Sequence, residues 1–318
     1  MKNAITTIAV ATTLAFGQAA FAQDSQQEWQ APWGEDDQIG AANRMSAESI
    51  REAAKLVTEG KMYSLGIIVD KDTPAFPPRS LSLTVLQPNQ MGTSGLGDNA
   101  FTYNDDIFMG WLGIGPQIDG LGHAGIDHVY YKGLKGEEFA DAAGLAELGL
   151  HNLPGIVARG VVLDMAGYYG VDMVEEGRAY TEEDVKGAAE RQGIEIREGD
   201  VVLFHSNWME LLDGENPDLE RFGSAEPGVG VSAAEYLAEV GVIAVGADTW
   251  GMEAVPAETE SEAFPVHQIL QPKNGIYMLE NMDTRELVAD EAWEFLFVLG
   301  HARLRGAVQM IINPIAIR

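Results

Sequence analysis

The stretch Gly113-Ile114-Gly115-Pro116-Gln117-Ile118-Asp119-Gly120-Leu121-Gly122-His123 decides how the rest of this chain is read. It sets a carboxylate and an imidazole four residues apart among glycines, which let a backbone turn sharply enough for both groups to aim into one cavity. Two residues much further along can join them: His267, and Glu280 at the end of an apolar run that reads as a strand. Asp, His and Glu together suit Zn, Mn or Fe(II). The chain has no cysteine, so thiolate ligands, disulfides and a cysteine nucleophile are excluded. On spacing alone, a structural histidine beside solvated acids is the readier account of these residues.

The amino terminus reads as an export leader. Lys2 is the only charge before residue 23, an apolar run covers residues 5–16, and Ala20-Phe21-Ala22 supplies a small-residue cleavage site. The run is shorter than the ~20 residues that a bilayer span needs. The expected mature chain is therefore 23–318, periplasmic or secreted, with no membrane association after cleavage of 1–22. Apolar residues make up 46% of the chain, enough for a large core. The charge is lopsided, 20 basic against 49 acidic residues for a net −29. Such a surface repels phosphate backbones, so a nucleic-acid partner is not expected and a small-molecule substrate is.

Outward from the glycine stretch, the pattern alternates between helix and strand. Ser46 reads as the N-cap of a helix with Ile50, Ala53, Ala54 and Val57 on one face, stopped by Gly60. Residues 62–69 and 80–86 alternate as half-buried strands do. Residues 92–122 carry eight glycines and read as loop. Residues 157–165 form a buried strand, and Thr181 with Asp184 forms a capping box opening a helix to about residue 192. Residues 201–204, 242–247, 276–279 and 309–312 complete the strands, and Ser232 reads as the cap of a helix reaching 240. Strands alternating with helices imply α/β. No repeat or linker divides the chain, so one domain over 23–318 is expected.

Two glycine patterns imitate dinucleotide-binding turns: Gly120-x-Gly122-x-x-Gly125 and Gly228-x-Gly230-x-x-Ala233. Such a turn must lie directly between a strand and a helix, and neither context reads that way. G-x-S-x-G and H-E-x-x-H are both absent. Among the other histidines, His205 follows a buried strand and reads as a satisfied imidazole. His151 and His301 read as structural, and His128 as either a pocket-mouth or a surface residue. Trp111, Trp250, Phe101 and Tyr103 suit either an aromatic pocket wall or the core.

Six ordered blocks change the weight of these observations: Trp33-Gly34-x-Asp36-Asp37-x-Ile39-Gly40-Ala41-x-Asn43, Gln117-Ile-Asp119-Gly-Leu-Gly-His123, Arg159-Gly160-Val-Val-Leu-Asp164, Gly199-Asp200-Val-Val-Leu-Phe, Gly246-x-Asp248-Thr249, and Val266-His267-x-x-Leu270 leading to Leu279-Glu280-Asn281. Over nearly all of 23–318 the chain resembles the cyclase family of kynurenine formamidases and isatin hydrolases, in its longer bacterial branch. The resemblance implies a barrel-like mixed β-sheet surrounded by helices, usually in a homodimer or homotetramer. The family's signature is H-x-x-x-H-x-D-x-x-x-H, with a distant His and Glu. Position by position it implies Asp119, His267 and Glu280 as metal ligands and His123 as the catalytic acid/base.

Two positions depart from that signature. Gly113 stands at the first ligand histidine, and Gln117 at the second, where an amide oxygen is at best a weak ligand. The implied site holds one divalent ion, Zn or Mn. The implied activity is hydrolysis of a cyclic amide, an N-formyl aryl amide (arylformamidase-like) or a lactone. The runner-up is a metal-free periplasmic small-molecule-binding pseudoenzyme of the same fold, which Gly113 favours and the retained Asp119, His123, His267 and Glu280 disfavour.

Overall fold

The aliphatic runs become one curled sheet. A computed structural model describes residue 29, residues 31–87 and residues 94–318; the expected leader, its cleavage site and Gly92 lie outside these residues. In chain order the strands of three residues or more are β1 (Met62–Ser64), β2 (Leu81–Leu86), β3 (Asp105–Gly110), β4 (Gln117–Asp119), β5 (Ile156–Asp164), β6 (Val201–His205), β7 (Ala244–Ala247), β8 (Tyr277–Glu280), β9 (Glu294–Leu299), β10 (Gln309–Ile311) and β11 (Ile315–Ile317). Nine of them form a half-barrel in the order β1-β11-β9-β5-β6-β7-β8-β4-β10.

The middle strands β5, β6, β7 and β8 run parallel. Their near-continuous apolar sequence follows from burial on both faces: Val161, Val162, Val201, Val202, Leu203 and Val245 are fully buried. Each such side chain contributes about 1.5–3 kcal/mol relative to exposure. One face of the sheet buries Ile118, Leu279, Phe295 and Phe297. The other is covered by helices α2 (Glu182–Gln192) and α3 (Val231–Val240) through Val185, Ala188, Ala233 and Leu237. The Thr181–Asp184 capping box is present at the start of α2. Helix α1 (Ala47–Ala54) is capped by Ser46 as expected, with Ala53 buried.

Several of the matched blocks turn out to be structural. Asp37 accepts from the backbone N–H of Ile39 and Gly40, from Asn43 Nδ2 at 2.7 Å and from the Tyr131 hydroxyl at 2.8 Å. Gly40 has φ +50, and a Cβ there would meet the Gly275 carbonyl at 2.4 Å. Arg159 on β5 reaches Asp200 at 2.6 Å and Glu294 at 2.9 Å, tying three neighbouring strands. Asp248 accepts from Ser206 and from the Trp208 N–H.

Four local expectations are corrected. The strand expected over 62–69 ends at Ser64, because β1 is an edge strand paired only to the three residues of β11. Residues 92–122 hold two strands, β3 and β4, besides loop. The N-cap of α3 is Gly230, while Ser232 Oγ accepts from the Glu182 N–H. The second glycine pattern does join a two-residue strand, Gly228–Val229, to a helix. A Glu258 carboxylate already accepts from Val231 N at 2.7 Å there, so a pyrophosphate would meet a like charge.

Candidate active site

Strand register assembles the site. β4 lies antiparallel between β8 and β10, with Glu280 opposite Gln117 and Gln309 opposite Asp119. Alternate residues of a strand share a face, and so do residues directly opposed across a pair. Gln117, Asp119, Glu280 and Gln309 therefore form one polar face, while Ile118 points into the core. Asp119 is fully buried. Its Oδ1 accepts from Gln309 Nε2 at 2.7 Å and from Gln117 Nε2 at 3.4 Å. Gln117 Nε2 also donates to Glu280 Oε2.

The histidines approach from beyond the strands. The turn 120–123 closes with His123 N donating to the Gly120 carbonyl, which returns His123 Nε2 to 3.3 Å from Asp119 Oδ2. His267 lies on a single helical turn, α4 (Pro265–Gln268), which starts after Phe264 at φ +53 and runs on into a π turn, Ile269–Lys273. Glu253 bonds His267 Nδ1 and accepts from the backbone N–H of Val266 and His267 at 3.0 and 3.1 Å. With Nδ1 engaged, His267 Nε2 faces Asp119 Oδ2 at 3.9 Å and Glu280 Oε1 at 3.6 Å.

Asp119 Oδ2 is buried without any hydrogen-bond partner. One ligand atom each from Asp119, His123 and His267 lies within 4.8 Å of the others. An orphaned carboxylate oxygen is costly unless something positive meets it, and two imidazole nitrogens plus a second carboxylate surround it. This donor set fits one divalent ion. The carboxylate behind His267 is the arrangement that orients a ligating imidazole.

Burial pulls the His267 imidazolium down, but its bonds to Glu253 and Glu280 outweigh burial and hold its pKa above the usual value. Burial, reinforced by the charge of Asp119, pushes Glu280 up. Burial pulls His123 down against the attraction of Asp119, favouring the neutral imidazole.

His123, His267 and Glu280 of the cluster line a cavity of about 310 Å³, together with Phe76, Arg79, Trp250 and Phe264 among others. Phe76, Trp250 and Phe264 stand within 5.8–6.4 Å of one another, ring centre to ring centre. Thus Asp119, His123, His267, Glu280 and Gln117 all come together. Gln117 presents its amide nitrogen to two carboxylates, which is the position of a hydrogen-bond donor. Of the expected aromatics, Trp250 lines the cavity, while Trp111 and Phe101 are about half exposed elsewhere. His128 lines a separate depression. His205 is bonded to Thr284, His151 to Gly306 and His301 to the Leu150 carbonyl.

Sequence reasoning missed Gln309, Glu253, Arg79, Phe76 and Phe264. Gln309 left a signal, as the single polar residue in 307–312.

The Cyclase family model matches residues 63–254. The chain belongs to the cyclase family. A crystal structure described as a novel cyclase shares 30% identity, covering 90% of this chain and 96% of its own, with a TM-score of 0.81. Two cyclase-fold structures are more distant. An isatin hydrolase bound to the product analogue thioisatinate has 19% identity, 86% and 98% coverage and a TM-score of 0.57. Isatin hydrolase A from Ralstonia solanacearum has 17% identity, the same coverage and a TM-score of 0.62. A comparison with curated proteins found no match. Membership places the chain among cyclase-type proteins, and its Asp/His group suits a metal cofactor.

Proposed function

We propose that this cyclase-family chain is a metal-dependent hydrolase that opens a carbon–nitrogen bond, in a cyclic amide or an arylformamidase-like N-formyl aryl amide, or a lactone. The observation that carries the reading is the buried, partnerless Oδ2 of Asp119 facing two imidazoles. One divalent ion, Zn or Mn, would be held by Asp119, His267 and Glu280, with Gln117 as a hydrogen-bonding neighbour and with His123, whose ring nitrogen also lies within 4.8 Å of the Asp119 and His267 ligand atoms, kept as the base. When bound, it supplies Lewis acidity toward the carbonyl and lowers the pKa of water.

The chain's own residues do the rest. His123, kept neutral by burial and 3.3 Å from Asp119, takes the proton of the attacking water and returns it to the leaving nitrogen or oxygen. Glu253 fixes which nitrogen of His267 faces the cavity. Phe76, Trp250 and Phe264 exclude water around an apolar substrate. The same reading carries one catalytic domain over 23–318, exported after cleavage near Gln23 and working as a homodimer or homotetramer.

The test is metal content per chain together with turnover of a panel of cyclic amides, formyl anilides and lactones. His123→Ala is expected to cost on the order of a hundredfold or more in turnover with metal nearly unchanged, whereas Asp119→Ala, His267→Ala and Glu280→Ala lose the metal. Full activity in His123→Ala removes its assigned role, and loss of metal there makes it a ligand. A wild-type chain that binds ligands but no ion under any loading supports the pseudoenzyme instead.

A further inference from the structure

Arg79 stands in the wall of the cavity, half-buried, in a chain of net charge −29. Six of the twelve arginines, Arg44, Arg159, Arg197, Arg221, Arg285 and Arg318, lie within ion-pair distance of a carboxylate. Among the described residues no carboxylate does the same for Arg79. Its one hydrogen bond among them runs from Nη1 to the Gly113 carbonyl at 2.8 Å. That bond fixes the guanidinium and leaves most of a five-donor fork for something else.

What lets Arg79 in is the departure at 113. A Cβ on Gly113 would meet Arg79 Nη1 at 2.8 Å and the Gln309 amide at 2.6–2.7 Å. Where the family signature carries a ligand histidine, this chain brings an arginine and a glutamine to the edge of the site. Arg79 shares the lining of this cavity with His123 and Glu280. The guanidinium also lies over the Phe76 ring at 6.0 Å, beside the wall that Phe76 forms with Trp250 and Phe264. A planar fork next to an aromatic slot matches a planar anion carried on an aromatic ring, held by two parallel hydrogen bonds.

We propose that Arg79 is the specificity residue of this cavity and that it recognises the carboxylate of an aromatic acid. The inference deepens the hydrolase reading by naming the chemical class that enters its site. The carboxylate is either already present on the substrate or released when a ring-fused amide or lactone opens, and Arg79 meets both in the same way.

The experiment is calorimetric titration of the metal-loaded protein with benzoate and with its neutral isostere benzamide, for wild type, Arg79→Met and Arg79→Lys. Metal content and melting temperature are followed in parallel. Wild type is expected to prefer benzoate by tenfold or more. Arg79→Met loses that preference with its metal content and melting temperature unchanged, and Arg79→Lys keeps only part, because an ammonium carries the charge without the fork. Equal wild-type affinities, or a benzoate preference that survives in Arg79→Met, overturn the proposal. Should Arg79→Met fail to fold, Arg79→Lys decides: an undiminished benzoate preference there removes the fork's role.

For any substrate that turns over, a raised KM in Arg79→Met assigns the carboxylate to the substrate. Relief of product inhibition at unchanged KM assigns it to the product. Repeating the titration after chelation separates this idea from the hydrolase reading. A chain that never holds an ion yet prefers benzoate through Arg79 refutes the latter alone.

Discussion

Gln309 Nε2 donates to Asp119 Oδ1 over 2.7 Å and thereby decides which oxygen of Asp119 is left for the two histidines. The contact is a direct consequence of register, since Gln309 and Asp119 are paired across β10 and β4. Polar neighbours that orient a ligating carboxylate typically affect metal affinity by about 10–100-fold when removed. Gln309→Leu is therefore expected to weaken metal binding by that factor with little change in melting temperature. Competition against a chromogenic chelator measures it, and an unchanged affinity would mean that Asp119 needs no such orienter.

Glu253 allows a sharper version of the same test, because it serves both the imidazole and the backbone. Glu253→Gln keeps an acceptor for His267 Nδ1 but removes the negative charge behind it. Metal affinity should drop by about 10–100-fold. Glu253→Gln also turns one accepting oxygen into an NH2 that faces a backbone N–H, whereas Glu253→Ala strands the N–H groups of both Val266 and His267, each at about 1–3 kcal/mol, so Glu253→Ala should melt the earlier of the two. If Glu253→Gln binds metal like wild type, the charge behind His267 has no part in holding the ion.

How much of this was legible in the chain depends on how local each signal is. The Asp119–His123 spacing and the strand ending at Glu280 are written in consecutive residues. The parallel strands announce themselves as aliphatic runs because both faces are covered. β4 is three residues held between Pro116 and Gly120, too short for alternation to show. β3 opens on two acids, which hide its apolar half. Glu253 and Arg79 have no local pattern at all. They matter only because folding sets one behind an imidazole fourteen residues away and the other beside a glycine thirty-four residues away.

The hairpin formed by β2 and β3 predicts association. Leu83 and Phe108 are paired across it on one face with Val85 beside them, Ile107 and Met109 lie on the opposite face, and all five are exposed. A two-stranded hairpin alone is marginal in water, and a contiguous apolar surface of this kind marks a contact site. A second copy of the chain, supplying the same face, is the expected cover. Light scattering after size exclusion should give a dimer or tetramer for wild type and a smaller species for Leu83→Asp/Phe108→Asp, with the melting of the half-barrel little changed. A monomeric wild type at micromolar concentration sinks the idea.

The two departures from the family signature give the prediction that divides the readings most cleanly. Gly113 has no left-handed φ, so its backbone accepts a side chain without strain. What a Cβ would meet there are the far ends of Gln309 and Arg79, flexible side chains that make room by giving up their bonds to Asp119 and to the Gly113 carbonyl. Gln117 lies opposite Glu280 on the polar face, where an imidazole would point at the same carboxylates. Gly113→His with Gln117→His should therefore raise metal content from one ion per chain toward two, after loading with Zn or Mn and desalting, because imidazole is a stronger ligand than an amide for such ions. Gly113→His alone should also weaken benzoate binding, since it displaces the arginine that the glycine admits. Two ions in the wild type would show that other residues complete a second site. A double variant that folds yet still holds a single ion would show that the two positions are too far from the cluster to act as ligands in this chain.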